Sequence, residues 1–303
     1  MIIIHGIKKI KKYKGAVVAL GVFDGVHRGH RNILQDTVRI ARKIKGTSIV
    51  ITFFPHPQDK ESLYSLQHRL RLIAELGVDL CIVVNFNRTF ANIEARDFIA
   101  KILVKKIGVS FVCIGKNFRF GRKASGNYKS LEEGAKRYNF KLKVFEVVRS
   151  GGLAISSTVI RKLIKGSKIK QVQQLLGRRV SILGSVIKGA RLGRILGVPT
   201  ANIDPHHEVI PSAGIYAVQV ILHAKVYAGI CYIGRRPTIS AKNKSIHVEV
   251  HIFNFHKNIY GHALEIQFVK MIREDQKFAS VEDLTLQIQK DIITCRKILR
   301  DRS

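Results

Sequence analysis

Ala16-Val-Val-Ala-Leu-Gly-Val-Phe-Asp-Gly-Val-His-Arg-Gly-His30 is the stretch that decides the fold of this chain. The apolar run Ala16 to Leu20 reads as a buried strand. Gly21, Gly25 and Gly29 then let the backbone turn tightly and approach a ligand closely. A helix is predicted to start near His27 to His30 and to run to Ile44, with Ile33, Leu34, Val38, Ile40, Ala41 and Ile44 as its apolar face. A strand, a glycine turn and a helix start gather free backbone N–H groups at one point, which suits phosphate. His27 and His30 lie three apart, so one helical turn puts both imidazoles on one side. Two such groups at a positive helix end can hold a triphosphate and neutralise charge on its leaving group. A lone histidine beside a glycine is more often an ordinary surface turn. The His-x-Gly-His spacing, placed after a strand and a second glycine turn, favours the ligand reading instead. A metal centre fits less well, because no Cys or carboxylate stands nearby at a spacing that completes a ligand set.

Outward from that stretch, strands and helices alternate. Thr47 to Phe54 reads as a second buried strand, stopped by Pro55-His56-Pro57, whose prolines cannot donate to a ladder. Gln67 to Leu76 is predicted helical with Gly77 as its stop, Leu80 to Phe86 a strand, and Glu94 to Ile107 a helix ending at Gly108. Ser110 to Ile114, a helix over Leu131 to Tyr138 and a strand over Lys141 to Val148 complete the pattern. The apolar residues of Met1 to Ile10 precede its charges, opposite to a secretory signal, and read as a first strand followed by a basic turn. Alternation of this kind predicts a parallel α/β sheet with its ligand at the carboxyl ends of the strands.

Gly21-Val-Phe-Asp-Gly-Val-His-Arg-Gly-His30 resembles the signature of the nucleotidyltransferase superfamily, and in detail the N-terminal module of bacterial bifunctional riboflavin kinase/FAD synthetases. Pro55-His-Pro57 and Phe86-Asn-Arg-Thr-Phe90 match the same family. Gly115 to Asn127 mixes glycines, cations and two phenylalanines in one loop, suited either to stacking a planar ring beside a phosphate or to anchoring a basic loop. The family usually carries an acidic residue where this chain has Asn117. Ile155-Ser-Ser-Thr-Val-Ile-Arg161 puts hydroxyls at a helix start with an arginine one turn in, which suits N-capping or phosphate. It also resembles the second motif of the superfamily. The Lys-Met-Ser-Lys-Ser type loop of aminoacyl-tRNA synthetases is absent. The resemblance implies catalytic roles for His27, His30 and Arg161. It implies nucleotide contacts at Gly21, Phe23, Asp24, Gly25, Gly29, Ser156, Ser157 and Thr158, and flavin contacts at His56, Asn117, Phe118 and Arg119.

After Lys168 to Leu176, a short amphipathic helix stopped at Gly177, the pattern changes. Val180 to Ile187, Ile215 to Leu222, Val226 to Ile233, Ile246 to Phe253 and Ala263 to Val269 are strand-like runs with no helix between them, which predicts a small antiparallel barrel. Ser280 then opens a helix to Leu299, with Asp283 as its capping partner and Leu284, Ile288, Ile292, Cys295 and Leu299 as its buried stripe. Gly189, Gly193 and Gly197, with Arg191 and Arg194, can wrap a polyphosphate or form a plain barrel turn. Thr200 and Asn202, two apart in extended chain, present two oxygens to one side, a donor type that Mg²⁺ accepts. Glu249 lies in a strand whose alternation sends Val248, Val250 and Ile252 to the other face. It can take a proton from a hydroxyl or simply face solvent beside an arginine.

Gly197-Val-Pro-Thr-Ala-Asn202, Gly234-Arg-Arg-Pro-Thr238, Val248-Glu-Val-His-Ile-Phe253, Ile259-Tyr-Gly261 and Ile272-Arg-Glu-Asp-Gln-Lys-Phe278 resemble the riboflavin kinase domain, in the family's order. That resemblance implies nucleotide contacts at Gly189, Gly193 and Gly197, Mg-ATP at Thr200 and Asn202, a base at Glu249 and flavin near Arg273. Cys231-Tyr232 stands where the family often has a more polar pair. The expected architecture is α/β plus β. A Rossmann-like nucleotidyltransferase domain with a parallel sheet spans 1–166, and a small antiparallel β-barrel with a terminal helix spans 178–303. The implied chemistry converts riboflavin to FMN and FMN to FAD, each with Mg²⁺ and ATP.

Composition bounds the remainder. The 303 residues suffice for two domains, and no apolar run approaches the roughly 18 residues of a membrane span. Cys81, Cys113, Cys231 and Cys295 form no C-x-x-C pair and read as reduced thiols of a cytoplasmic protein. With 53 Lys and Arg against 21 Asp and Glu, the formal charge is +32, spread along the chain with no arginine-rich tail. It suits attraction of phosphorylated substrates, and nucleic acid is the lesser reading. No membrane partner is expected, and an oligomer is compatible with the sequence. The competing readings are a chain with one live site and one scaffold domain, and a basic nucleic-acid-binding protein.

Overall fold

The computed structural model describes residues 1–58, 61–189, 193, 197–235 and 246–300. Arg191, Arg194 and the 236–238 part of the Gly234 motif lie outside the described residues. The chain forms two compact units, one of Met1–Ser62 and Leu66–Ser157, the other of Leu63–Ser65 and Thr158–Ser303.

The first unit is built on β1 (Ile2–His5), β2 (Ala16–Leu20), β3 (Ser48–Phe54), β4 (Leu80–Asn85), β5 (Val109–Gly115) and β6 (Lys141–Phe145). They form one parallel sheet in the order β1-β4-β3-β2-β5-β6. All of β2 is buried, as its unbroken apolar run requires of a strand covered on both faces. From β2 the chain builds β3 and β4 to one side and β5 and β6 to the other. Its carboxyl end is therefore the switch point where open α/β sheets bind ligands. A hairpin, β7 (Arg149–Ser150) and β8 (Leu153–Ala154), follows the sheet.

Helix α1 (Arg28–Lys43) packs on β2, β3 and β5 through Ile33, Leu34, Thr37, Val38 and Ala41. Burying each of its large aliphatic side chains contributes about 1.5–3 kcal/mol. Of the two others expected on this face, Ile40 is half-buried and Ile44 is exposed. The stripe centres on Thr37 and Ala41, which leaves Ile40 on its rim, and Ile44 is already the C-cap residue. The Thr37 hydroxyl is satisfied inside the stripe by donating to the Ile33 carbonyl at 2.8 Å. Helix α2 (Leu66–Ala74) ends near Gly77, whose φ is 79°. The helical turn Ala95–Asp97 continues as a π-helix, Phe98–Ile107, to Gly108. The helix Tyr128–Tyr138 begins three residues before the predicted Leu131, because Asn127 accepts from the backbone of Lys129 and Ser130 and forms a capping box.

In the second unit, the helices Ser157–Lys165 and Ile169–Leu176 lead into the barrel, the latter ending at Gly177 with φ 70°. Its strands are β9 (Ser181–Ile187), β10 (Ala201–Asp204), β11 (Gly214–Leu222), β12 (Lys225–Arg235), β13 (Ile246–Ile252) and β14 (Ala263–Glu274). They close in the order β10-β13-β12-β11-β14-β9, each pair antiparallel. Sequence patterning predicts five of these strands. The sixth, β10, is too short and polar to show a period, yet it closes the ring by pairing with both β13 and β9.

The last helix, Val281–Arg300, is capped as predicted, with the Asp283 amide donating to Ser280 Oγ at 3.1 Å. Its buried residues are Asp291, Cys295 and Leu299, whereas Leu284, Ile288 and Ile292 are half-buried. Asp291 takes the centre of the stripe because the Arg273 guanidinium of β14 meets it, with Nε at 3.0 Å and Nη2 at 2.8 Å from Oδ2. All four cysteines are free and buried. Burial pushes the Cys113 thiol up to about 11 and Cys81 and Cys295 to about 12, so these sulfurs stay protonated and unreactive. Among the described residues no helix is long and apolar enough to cross a membrane.

Candidate active sites

The first unit brings three predicted stretches to adjacent strand ends. His56 follows β3, the Gly21–His30 turn follows β2, and Asn117, Phe118 and Arg119 follow β5. The turn is not made by its glycines alone. Gly25 has φ 80°, but Phe23 and Val26 are also left-handed, at 53° and 38°. Gly21 and Gly29 serve a different purpose from the one expected. A Cβ on Gly21 would sit 3.0 Å from the Phe23 ring, and one on Gly29 would sit 3.3 Å from the His27 ring. Their missing side chains make room for the two rings that shape the turn.

His27 is the N-cap of α1, and its Nδ1 accepts from the His30 backbone N–H at 3.3 Å. An accepting Nδ1 leaves the proton of a neutral ring on Nε2, so His27 presents a donor there. The two imidazoles stack, with centroids 3.6 Å apart and planes at 17°. The Phe23 ring meets His30 edge-on at 5.3 Å. Asp24 is buried, and its carbonyl accepts from Ser157 Oγ at 2.9 Å. The Ser157 hydroxyl therefore braces the first motif. Ser156 is half-buried beside it, while Thr158 and Arg161 belong to the second unit, Thr158 exposed and Arg161 half-buried.

The loop after β5 is tied down at both ends. Phe120 lies in the core and pairs its backbone with Gly126, and Phe118 stacks on it at 5.8 Å. Asn117 and Arg119 are exposed, and Arg119 donates to the Phe118 carbonyl at 3.2 Å. His56 is half-buried, with its Nδ1 accepting from the Gln58 amide at 3.1 Å.

Two residues that hold the β2 turn are absent from the sequence reading. Arg69 of α2 is 3% exposed and donates to the carbonyls of Val22, at 2.8 Å, and Phe53, at 3.1 Å. Thr52 Oγ1 donates to the same Val22 carbonyl at 2.8 Å. The signal was present: Arg69 lies three residues after Leu66 and four before Ile73, on the apolar stripe of its helix.

In the second unit the barrel register builds the other site. Asn202, Glu249 and Tyr232 are opposite one another on β10, β13 and β12, so their side chains share a face. Thr200 Oγ1 donates to Glu249 Oε2 at 2.9 Å. The adjoining Pro199 carbonyl contacts His251 Nδ1 at 2.8 Å, which fixes the chain where it enters β10. Gly189 and Gly193 lie close against these groups. A Cβ on Gly189 would collide with the Asn202 amide, and one on Gly193 would lie 3.0 Å from Thr200 Oγ1. Gly197 takes a left-handed φ of 71° shortly before the Pro-Thr-Ala-Asn run. Tyr232, unassigned in the sequence reading, donates to Asp275 Oδ2 at 3.4 Å. Burial raises its phenol above the ordinary value, and the charges of Asp275 and Glu249 add to this. Arg273, expected near flavin, has its guanidinium engaged by Asp291 and by the Glu274 carbonyl at 3.0 Å. Among the described residues no three His, Cys, Asp or Glu gather as a metal cage. Thr200 and Asn202 are instead hard, neutral oxygen donors of the kind that share Mg²⁺ with phosphate and water.

The family model for FAD synthetase matches residues 9–159, and that for riboflavin kinase matches residues 176–299. A relative from Buchnera aphidicola subsp. Schizaphis graminum is 37% identical over 97% of this chain and 96% of its own length. One from Escherichia coli (strain K12) is 36% identical over 98% of this chain and 97% of its own. Both carry the name bifunctional riboflavin kinase/FMN adenylyltransferase. A Streptococcus pneumoniae crystal structure described as a macrolide-efflux protein superposes with a TM-score of 0.85 at 28% identity, over 98% of this chain and 99% of that one.

Proposed function

The chain belongs to the bifunctional riboflavin kinase/FMN adenylyltransferase family, and from that premise we propose which residues run each reaction. The enzyme phosphorylates riboflavin to FMN and adenylates FMN to FAD, with ATP as co-substrate in both steps. In our assignment residues 1–166 carry adenylylation and residues 178–303 carry the kinase reaction.

The two reactions need different equipment. The terminal ribityl hydroxyl of riboflavin is a weak nucleophile. As its oxygen attacks the γ-phosphorus of ATP and ADP departs, its proton passes to Glu249. The observation that carries this assignment is the 2.9 Å contact of Glu249 with Thr200, with Asn202 in register beside it. These oxygens fit Mg²⁺, which when bound neutralises charge on the ATP phosphates. Gly189, Gly193 and Gly197 let the preceding turn lie close to the same phosphates.

FMN needs no base, because its phosphate is already ionised near neutral pH. Its oxygen attacks the α-phosphorus, and pyrophosphate leaves. His27 and His30 donate to the departing oxygens and the α1 N-terminus adds its positive end, while Arg161 keeps the catalytic role that its motif implies. Phe23 sets the ring of His30 and Ser157 supports the Asp24 loop, while Ser156, Ser157 and Thr158 keep the nucleotide role that their motif implies. His56, Asn117, Phe118 and Arg119 form the flavin side at the neighbouring strand ends, and Arg273 shapes the riboflavin side of the barrel through its hold on Asp291.

We place the enzyme in the cytoplasm, a reading supported by its four free thiols, and assign it neither a membrane nor a nucleic-acid partner. Product analysis tests the assignment. Riboflavin with ATP and Mg²⁺ is expected to give FMN and then FAD, and FMN with the same reagents to give FAD directly. Formation of FMN alone would withdraw the adenylylation roles.

A further inference from the structure

The turn from Phe23 to Val26 places two non-glycine residues in left-handed backbone, one of them β-branched. Such a stretch persists only where its surroundings over-determine it. Phe23 and Val26 are each 1% exposed, so packing fixes their side chains. Packing alone does not fix the peptide that enters the turn. That is the Val22 carbonyl, and it receives two donors, Thr52 Oγ1 and Arg69 Nη1, each at 2.8 Å. The other arm of the guanidinium, Nη2, reaches the Phe53 carbonyl at 3.1 Å. One buried cation from α2 thus joins the turn after β2 to the end of β3.

Arg69 is an expensive way to satisfy two carbonyls. A buried cation loses its hydration, and burial lowers the proton affinity of this guanidinium, with Asp24 acting in the opposite direction. An apolar residue at this position of the α2 stripe would avoid that cost, and Thr52 already satisfies Val22. What the guanidinium adds is direction, since its planar fork holds two carbonyls in one fixed geometry.

We propose that Arg69 is a positioning residue for adenylyl transfer, clamping the Val22 and Phe53 carbonyls so that the strained turn delivers His27 and His30 to the departing pyrophosphate. It acts through the backbone and touches no substrate. The inference rests on the assignment of adenylylation to the first unit.

The test compares Arg69→Met, Arg69→Lys and Thr52→Val with the parent full-length protein. Each is assayed for FAD formation from FMN and for FMN formation from riboflavin, at a temperature where calorimetry shows both units folded. Misplacing the imidazoles by about 1 Å is expected to lower kcat for adenylylation on the order of 10²-fold in Arg69→Met, with KM for FMN changed less than threefold. Arg69→Lys, which can reach one carbonyl, is expected to recover part of that loss, and Thr52→Val to show a smaller loss in the same parameter. Kinase kcat is expected to stay at the parent value. Unchanged adenylylation in folded Arg69→Met would overturn the proposal. So would a loss of both activities in step with a lowered melting temperature, or no recovery with lysine. Absence of FAD formation in the parent protein would instead refute the assignment on which the inference rests.

Discussion

Both units bring reactive groups against a glycine-containing turn, but they hold those groups by different means. In the first, His27 and His30 stand at the start of α1, directly after a loop at the open end of a parallel sheet, and buried Arg69 and Thr52 set that loop from outside. In the second, Asn202, Glu249 and Tyr232 stand side by side because three strands of a closed barrel are in register. A site held by a loop depends on its clamps. A site held by a ladder depends on hydrogen bonds that every residue of the strand supplies. Side-chain changes in the barrel should therefore alter chemistry without moving the backbone, whereas equally conservative changes beneath the β2 turn should displace it.

The sharpest separation of the two is Glu249→Gln, an isosteric change that removes the base. Kinase turnover is expected to fall by about 10²–10⁴-fold. FAD formation from added FMN should persist at the parent rate in the same sample. A kinase rate within threefold of the parent would remove Glu249 from the mechanism.

Asp291→Asn asks whether register alone sustains the barrel unit. The change leaves the Arg273 guanidinium without its counter-charge, so unfolding of the second unit should cost about 3–5 kcal/mol less. Differential scanning calorimetry reads this as an earlier transition for one unit and an unmoved one for the other. An unchanged thermogram would mean that the ladder needs no ionic tie to its covering helix.

His30→Ala is the counterpart in the loop site, with an expected loss on the order of 10²-fold in FAD formation and none in FMN formation. Equal losses in both assays would break the division of labour.

The smallest effect concerns a charge at the surface of the first unit. Asp36 is pushed up by burial, but its hydrogen bonds to Lys143 and Arg39 outweigh this and hold the carboxyl below its ordinary 3.8. A folded value below the unfolded one stabilises the native state above about pH 4, and that contribution is lost as pH falls through the folded value. Asp36→Asn should remove at most about 1 kcal/mol at neutral pH and less at pH 2, measured by urea unfolding at both. A deficit undiminished at pH 2 would assign the effect to packing instead.

Much of this was legible in residues 16–30. A five-residue apolar run ended by a glycine turn reads as an interior strand, and the helix that follows begins where its histidines say. The barrel was legible from runs separated by turns, apart from β10, whose four residues carry no period. Arg69 and Asp291 were hidden for one shared reason. Each is a charge on an apolar stripe, and a stripe reveals which face is buried but not which carbonyl or guanidinium waits beneath it. The left-handed Phe23 and Val26 lie beyond pattern reading, since the turn chemistry points to glycine while the strain falls on its neighbours. Thr200 and Asn202 were readable as a pair of oxygens, but only the register of β10 against β13 puts Glu249 beside them.

A closed ring has no rim, but the six-stranded sheet of the first unit has two. At one of them β1 leaves Ile2 69% and Ile3 43% exposed, with ladder positions open on its outer side. That is a template on which a second copy could add strand to strand. Lys8 and Lys9 follow, both exposed, before the chain leaves this rim for the start of β5, where the Tyr13 amide donates to the Ile107 carbonyl at 3.0 Å. Lysines flanking an edge strand oppose such pairing, since a second copy would bring like charges together, and at 1 M salt screening shortens that repulsion to a reach of roughly 3 Å.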